Sequence, residues 1–600
     1  MGNHNSLDHT IVDLYCKLYQ DIADSCCVAI VESRRDIEEI QNRVASEGLS
    51  FLTKVMPRLG KCFDKALLQG HISEIPNFQK KSGSILPSFL GGIFLRVFKE
   101  DGVLLCPPDV VAVKAIRQLA YYVYKLEMAY TESDTSRVIE DFLKTEDDLG
   151  ELSIPADSVF ATAQSLVGTV FSRFDVQDII PAHGPGNVAT GEEAWRKPYF
   201  SRIYKEIEKV YPFTEYFQYS LMHVCDEREA MESLDLLGSG TAKVVLVPKD
   251  SRGPRLISCE PLEYQWIQQG LSRKVVDRIE SHSYTKGHVN FTSQMVNRHL
   301  ALVGSVSGEW VTLDMKEASD RVHLDLVKGL FAHNPEVLNA LLATRSTSTR
   351  LPDGRVIELK KFAPMGSALC FPVEALIFWS LSVAAIVDTY RIPQARARDM
   401  VYVYGDDLII RSEVYAAVLE HLPRFGLLFN TAKCCTTGSF RESCGLDAYK
   451  GVDVTPLKLR RVWPHRRSAD SRVYTSYVSH YKEAYRRGYY RLAETIKLMV
   501  EAHLGTLPIT NSDIGVLSWV HPGEAAPHHQ PPNVKIRVNR ALFILEVFGW
   551  QPYSKQKIVS SDDWCTVLSR INSGPEACPA GVYTIPHRSY LKRGWSPFGV

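Results

Sequence analysis

Apolar positions recur at helical spacing over 8–48 and 108–130, where Leu119, Val123 and Leu126 fall on one face of a predicted helix. The pattern then shortens. Thr241–Pro261 (TAKVVLVPKDSRGPRLISCEP) reads as two β-rich arms around a turn at Asp250–Pro254, with Lys243, Lys249, Arg252 and Arg255 set along it. Trp310-Val311-Thr312-Leu313 is a short strand that ends on Asp314, and Val401–Tyr404 and Leu408–Ile410 flank Gly405-Asp406-Asp407 as a buried hairpin with two carboxylates at its turn. Leu369–Val387 approaches the ~20 apolar residues of a bilayer span, but Pro372 and Glu374 interrupt it, and a buried core helix is predicted. His183–Asn187 (HGPGN) is a loop by composition, and Val520–Asn533 is a Pro-rich linker before a final segment of about seventy residues.

Composition narrows the class without naming a function. At ~100–200 residues per domain, 600 residues suggest roughly three to six units. With 45% hydrophobic and 23% charged residues, the chain is neither disordered, collagenous nor coiled coil. Its 69 basic and 69 acidic residues cancel, so a nucleic-acid site must come from local segregation of charge. Such segregation exists: residues 455–497 carry eleven Lys or Arg against three acids, interleaved with Trp463, Tyr474, Tyr477, Tyr481, Tyr485, Tyr489 and Tyr490. Cations for phosphates and rings for bases suit an RNA or DNA channel, with Arg460, Arg461, Arg466, Arg467, Arg486 and Arg487 as its candidate contacts. Tyr477, Tyr481 and Tyr485 lie four apart and equally fit a core stripe. Glu132–Glu151 holds eight acids and reads as a solvated face, with a docking surface for a basic partner as the alternative. Thirteen scattered cysteines without a CxxC spacing read as reduced, cytosolic usage. The start of the chain shows no secretory signal, and its loose fit to a myristoylation pattern at Met1–Ser6 carries little weight.

Two adjacent aspartates held at a tight turn repel each other, and a divalent cation is the usual remedy. A type I′ turn, which favours Gly and Asp for backbone reasons, is the competing explanation. Asp314 adds a third acid at a strand end. Three acids on two strands suit a two-metal site, in which ions ~4 Å apart activate a hydroxyl and stabilise a leaving group. Pro364-Met365-Gly366-Ser367, opening the long apolar helix, is a small-residue turn that a nucleic-acid backbone could approach closely.

In this order the elements resemble motifs A, B and C of RNA-dependent RNA polymerases. Further segments narrow the resemblance to the replicase catalytic (beta) subunits of the RNA bacteriophages, the leviviruses of coliphage Q-beta type. They are His183–Asn187, Val247-Pro248-Lys249 with Arg255 and Glu260-Pro261, Val289–Leu300, Asp314–Arg321 (DMKEASDR), Met365-Gly366, Tyr404–Asp407, and Phe440–Arg460 with FRESCG and GVDVTP. The resemblance covers roughly 180–460.

It implies an α/β right-hand polymerase: an N-terminal region and fingers over 1–240, fingers with a basic NTP-binding arm over 241–300, a palm of antiparallel sheet backed by helices over 301–450, and a helical thumb with the C-terminal region over 451–600. The implied reaction is primer-independent, RNA-directed RNA synthesis for a positive-strand phage genome in the cytoplasm of a bacterial host. Two Mg²⁺ ions on Asp314, Asp406 and Asp407 would serve it, with Mn²⁺ or Ca²⁺ as substitutes in crystals. The resemblance also implies NTPs and template and product RNA as ligands, host elongation factors Tu and Ts and a ribosomal RNA-binding protein as partners, and no membrane. Lys249 and Arg255 are expected on the triphosphate, beside Gly366. Ser319 and Asp320 are expected on the ribose, unless Asp320 merely caps the helix that follows. Lys433, in Phe429–Lys433, stands where the family lysine protonates pyrophosphate; an ordinary surface lysine is the alternative. One departure is that Leu369–Glu374 offers no Asn for the incoming ribose, leaving Glu374 as a candidate. The rival readings are a mitovirus-like or narnavirus-like replicase and a non-catalytic, polymerase-derived RNA-binding scaffold.

Overall fold

The computed structural model describes residues 2–598 apart from 74, 185, 194–195, 219–231, 233, 252, 522–526 and 559–581. Pro185 and Arg252, both singled out in the sequence, and part of the Pro-rich stretch therefore lie outside the described residues.

A three-stranded antiparallel sheet organises the centre, in the order Trp310–Asp314, Asp407–Arg411, Val401–Tyr404. Alternation along these strands sorts their side chains between two layers. Val311, Leu313, Val401, Val403, Leu408 and Ile410 face the core that contains helix Cys370–Tyr390. Trp310 and Ile409 face Ala301 of helix Met295–Ser307. Helix Cys370–Tyr390 is long and apolar enough to cross a membrane, but 89% of its apolar window is buried inside the fold, which explains why it is apolar on all sides. The β-rich arms form the expected hairpin, Thr241–Asp250 with Gly253–Cys259, and Ser348–Arg350 and Val356–Glu358 extend it to a four-stranded sheet.

The hydrophobic cores do not follow the chain in sequence. Residues 11–126 share one core with 435–519, whereas 159–217 share another with 264–427. The buried Arg117 ties the first core together, pairing with Asp64 from its own half and Asp447 from the other.

Two expectations for the last third change. Tyr474, Tyr477 and Tyr481 of helix Ser471–Arg486 are buried in the core shared with the N-terminal helices, meeting Trp463, His503 and Trp519, and Tyr485 is half-buried beside them, so the core-stripe alternative holds and the rings are not a row of base platforms. Among the described residues after helix Tyr490–Leu504 there is no further α-helix, only a 3₁₀ turn at Pro527–His529. Lys535–Asn539, Ile544–Ile558 and Val582–Pro597 form an antiparallel sheet. Nor does the Pro-rich stretch separate an independent unit. Trp550 Nε1 donates to the Leu504 carbonyl (2.8 Å), and Leu517 N–H donates to the Trp550 carbonyl (2.7 Å), so the sheet docks on the helical pair.

Candidate active site

Antiparallel pairing sets Asp314 directly opposite Asp407, with Tyr404 on the other side of Asp407. The hairpin turn is Gly405-Asp406. Of these two only Gly405 has positive φ (60°), so the turn is not the type I′ that was the bland alternative, which needs positive φ at both positions. A Cβ at Gly405 would also overlap the Phe371 ring. Asp407 Oδ2 accepts the Cys444 N–H (3.0 Å), and the Asp407 carbonyl accepts from Asn297 Nδ2 (3.1 Å). On the neighbouring strand Asp314 accepts from Lys433 Nζ (2.9 Å) and Asn430 Nδ2 (3.1 Å). The 429–435 segment is held there by backbone bonds between Cys435 and Thr312 and from Asn430 N–H to the Asp314 carbonyl.

The FRESCG segment now has a physical reading. Arg441, buried, donates Nε to the Trp310 carbonyl (2.6 Å) and Nη1 to the carbonyls of Thr437, Gly438 and Phe440. It thereby locks this turn to the central sheet, and Cys444 delivers its N–H to Asp407.

Electrostatically the site is acid-rich. Burial, then the charge of Asp406, pushes the Asp407 carboxyl up to about 6, and burial with Asp314 raises Asp406. Burial and Asp447 push Glu442 up to about 7. Burial pulls the Lys433 ammonium down, but Glu442 and Asp314 outweigh it and hold Lys433 above the usual lysine range. An all-oxygen set of mutually repelling carboxylates fits a hard divalent cation. Among the described residues, however, no three His, Cys, Asp or Glu side chains are already grouped around a metal position. Lys433 occupies Asp314, and the Cys444 N–H occupies Asp407.

Beside the acids lies the loop after Asp314. Burial pushes Glu374 up to about 8, a hydrogen bond from Ser319 opposing and Asp406 adding, so the second-motif Glu is brought to the site through Ser319. Asp320 sits in a 3₁₀ turn, Ala318–Arg321, and does not cap the next helix; the His323 side chain caps Leu324–Leu330, accepting the Asp325 N–H. Asp320 instead accepts from the wholly buried Lys361 (2.7 Å), whose Nζ also meets Glu146 (2.9 Å) over the Phe142 ring. Arg321 pairs with Glu317 and Asp148. Helix Glu132–Gly150 is thus a docked element. Glu146 is buried and used inside the protein, which corrects the solvated-face reading for that residue, while Asp148 stays exposed as it pairs with Arg321.

The remaining expected residues divide. Arg255 is exposed, and its charge lowers the pKa of Asp406, placing it within electrostatic reach of the acids. Lys249 is exposed at the far end of the hairpin, where it, Lys458 and Arg460 all depress the pKa of Lys125 after burial has done so. Lys125 is a cation of this cluster that sequence reasoning missed, because it comes from a segment 333 residues away from Lys458, which the basic stretch already included. Gly366 (φ 124°) is glycine for a reason other than nucleic-acid access: a Cβ would overlap the Ser258 carbonyl, while Ser258 N–H donates to the Met365 carbonyl (2.8 Å). In the HGPGN loop, His183 lies tilted against Trp266 with centroids 4.4 Å apart, and the buried Lys197 bonds the Gly184 and Gly186 carbonyls. Of the basic set, Arg460, Arg466 and Arg467 are exposed, Arg461 pairs with Glu127, and Arg486 and Arg487 pair with Glu483.

An antiparallel sheet presenting acids at adjoining strand ends, crossed by a long buried helix, defines an α/β protein of the kind to which the comparisons point: residues 196–467 match the family described as RNA replicase, beta-chain. Among individual relatives, the RNA-directed RNA polymerase subunit beta of Escherichia virus Qbeta is 37% identical over 220 residues, covering 36% of this chain and 35% of that one. The RNA-directed RNA polymerase beta chain of Escherichia phage MS2 is 33% identical over 241 residues, covering 40% and 41%. The alignments thus span about two-fifths or less of the relatives' length. Among solved structures, the RNA-dependent RNA polymerase from bacteriophage phi12 aligns over 76% of this chain and 78% of its own, with a TM-score of 0.36 at 10% identity.

Proposed function

We propose that the chain is the catalytic subunit of an RNA-directed RNA polymerase of the RNA-phage type, replicating a positive-strand genome in a bacterial host. The observation that supports this best is the placement of Asp314, Asp406 and Asp407 at adjoining strand ends within the segment that matches the replicase family. Two Mg²⁺ ions would be held by these three aspartates and would supply charge neutralisation for a 3′-hydroxyl and a departing pyrophosphate. The chain's own groups do the rest. Arg255 and Lys249 grip the triphosphate, Arg by its two-pronged fork. Asp320 and Ser319 face the ribose 2′-hydroxyl. Lys433 passes a proton toward pyrophosphate after leaving Asp314. Lys125, Lys458 and Arg460 line the RNA path with Arg466 and Arg467.

In this reading the hairpin and its sheet act as fingers, the central sheet as palm and the helices after 470 as thumb. Initiation is primer-independent at a C-rich 3′ end, with elongation factors Tu and Ts and a ribosomal RNA-binding protein as partners. The test is extension of a C-ended template by the purified chain, with and without Mg²⁺ and the host factors. Wild type should synthesise full-length RNA and Asp406→Asn none, while both bind template within a few-fold. Synthesis by Asp406→Asn at the wild-type rate refutes the assignment.

A further inference from the structure

We propose that the C-terminal sheet binds the sugar–phosphate backbone of RNA through arginines stacked on tryptophans, a surface that rests on the RNA-polymerase reading and extends it beyond the basic 455–497 stretch. Strand pairing sets Trp550 opposite Arg593 and Phe548 opposite Trp595, and the same face carries Arg537, opposite Glu546. Arg467, from the loop before helix Ser471–Arg486, lies over Trp550 at 4.5 Å to the ring centroid, as does Arg593; Arg537 lies over Trp595 at 4.3 Å. Phe548 continues the stack, 5.2 Å from Trp595. The guanidinium groups and rings thus alternate across the sheet.

A guanidinium lying flat on an indole gains a cation–π attraction, and its rotamer is fixed before any ligand arrives. The N–H groups of Arg467 and Arg593 remain for a two-pronged acceptor such as a phosphate, whereas Arg537 gives Nε and Nη2 to Glu546 (2.7 Å each) and buttresses the Trp595 ring. All three arginines belong to exposed residues. The acids nearby are already engaged: Glu546, 7% exposed, pairs with Arg537 and accepts from Asn539, and Asp470 pairs with Arg472 and accepts from Ser589. Arg537 and Glu546 cancel, and the exposed Arg467 and Arg593 leave the face a positive excess. It adjoins the basic stretch without a gap, since Arg467 belongs to both. This continuity favours a polyanion that runs the length of the surface, an RNA strand, over an acidic protein patch.

The experiment measures binding of the full chain to a labelled single-stranded RNA that cannot template synthesis, without NTPs, across a salt series. Every phosphate that is no longer neutralised should reduce the log–log slope by ~0.7 on a single strand, so Arg467→Gln with Arg593→Gln should flatten it by about 1.4. Arg467→Lys with Arg593→Lys keeps the charge and should hold the slope. An unchanged slope in the glutamine pair at wild-type melting temperature overturns the proposal. So does an equal loss in the lysine pair, which would make the arginines packing groups, and so does wild-type binding of polyglutamate as tight as of RNA. Should the glutamine pair fail to fold, Arg593→Gln alone is read the same way, with half the change. If wild type shows no nucleotide addition yet the slope still falls, the polymerase reading fails and the phosphate-binding surface stands.

Discussion

Lys361 offers the sharpest perturbation. It has no exposed side-chain surface, and its ammonium serves Glu146, 6% exposed, and Asp320, 26% exposed. Lys361→Met preserves the length and apolar stem but strands two carboxylates. Removing one member of a buried ion pair costs about 3–5 kcal/mol. Glu146 keeps the Lys360 N–H (2.7 Å), and Asp320 is partly hydrated, so the low end, about 3 kcal/mol, is expected. Urea unfolding followed by a probe of the central region should show that loss as a lower midpoint at unchanged slope. Adding Glu146→Gln and Asp320→Asn to Lys361→Met removes the stranded charges and should restore most of the stability, a strongly non-additive outcome. Preference for ribonucleotides should fall in both variants, because in neither is an ionised Asp320 held toward the nucleotide. A single variant within 1 kcal/mol of wild type, or a triple variant no more stable than the single one, refutes the reasoning.

Three further outcomes are expected. Asp320→Ala should lower the GTP to dGTP ratio of kcat/KM at least tenfold, since a site built to bond a hydroxyl penalises its absence strongly; an unchanged ratio removes Asp320 from the site. Gly405→Ala should destabilise by about 2 kcal/mol or more, from its left-handed backbone and the overlap with Phe371, and Phe371→Leu should recover part of that loss in thermal melts. Glu260, buried and hydrogen-bonded to Ser346, has its carboxyl pushed up to about 7 by burial. The folded chain therefore holds a proton that the unfolded chain has released, so stability should fall as pH rises from about 4.5 to 7. Glu260→Gln should make that fall of melting temperature with pH shallower by one group's share, the raised Asp407, Glu442 and Glu374 carboxyls keeping the rest.

Local pattern was enough for the elements that carry the acids. The short run Trp310–Leu313 ending on Asp314 and the apolar runs around Gly405-Asp406-Asp407 place three carboxylates at strand ends, because short apolar runs bounded by polar residues read as buried strands. The apolar run of Cys370–Tyr390, broken only by a few polar residues such as Glu374, likewise marks a helix buried on all sides. Exposure of the 474–489 tyrosines was not legible in this way. A four-residue spacing puts rings on one face, but whether that face meets solvent or the N-terminal helices is decided by packing.

By itself, then, the sequence determined the central strands, the hairpin turn and the identity of the acids, all properties of residues a few positions apart. Tertiary structure alone decided what those acids meet. Lys361 reaches Asp320 across 41 residues, and Arg117 reaches Asp447 across 330. It also decided that the two ends of the chain share a core and that the last segment is a sheet folded back on helix Tyr490–Leu504. The physical reason is that periodicity records only whether a side chain is buried. The partner of a buried charge is chosen by which distant segments the whole fold brings within about 3 Å, where an unpaired charge would be too costly to keep.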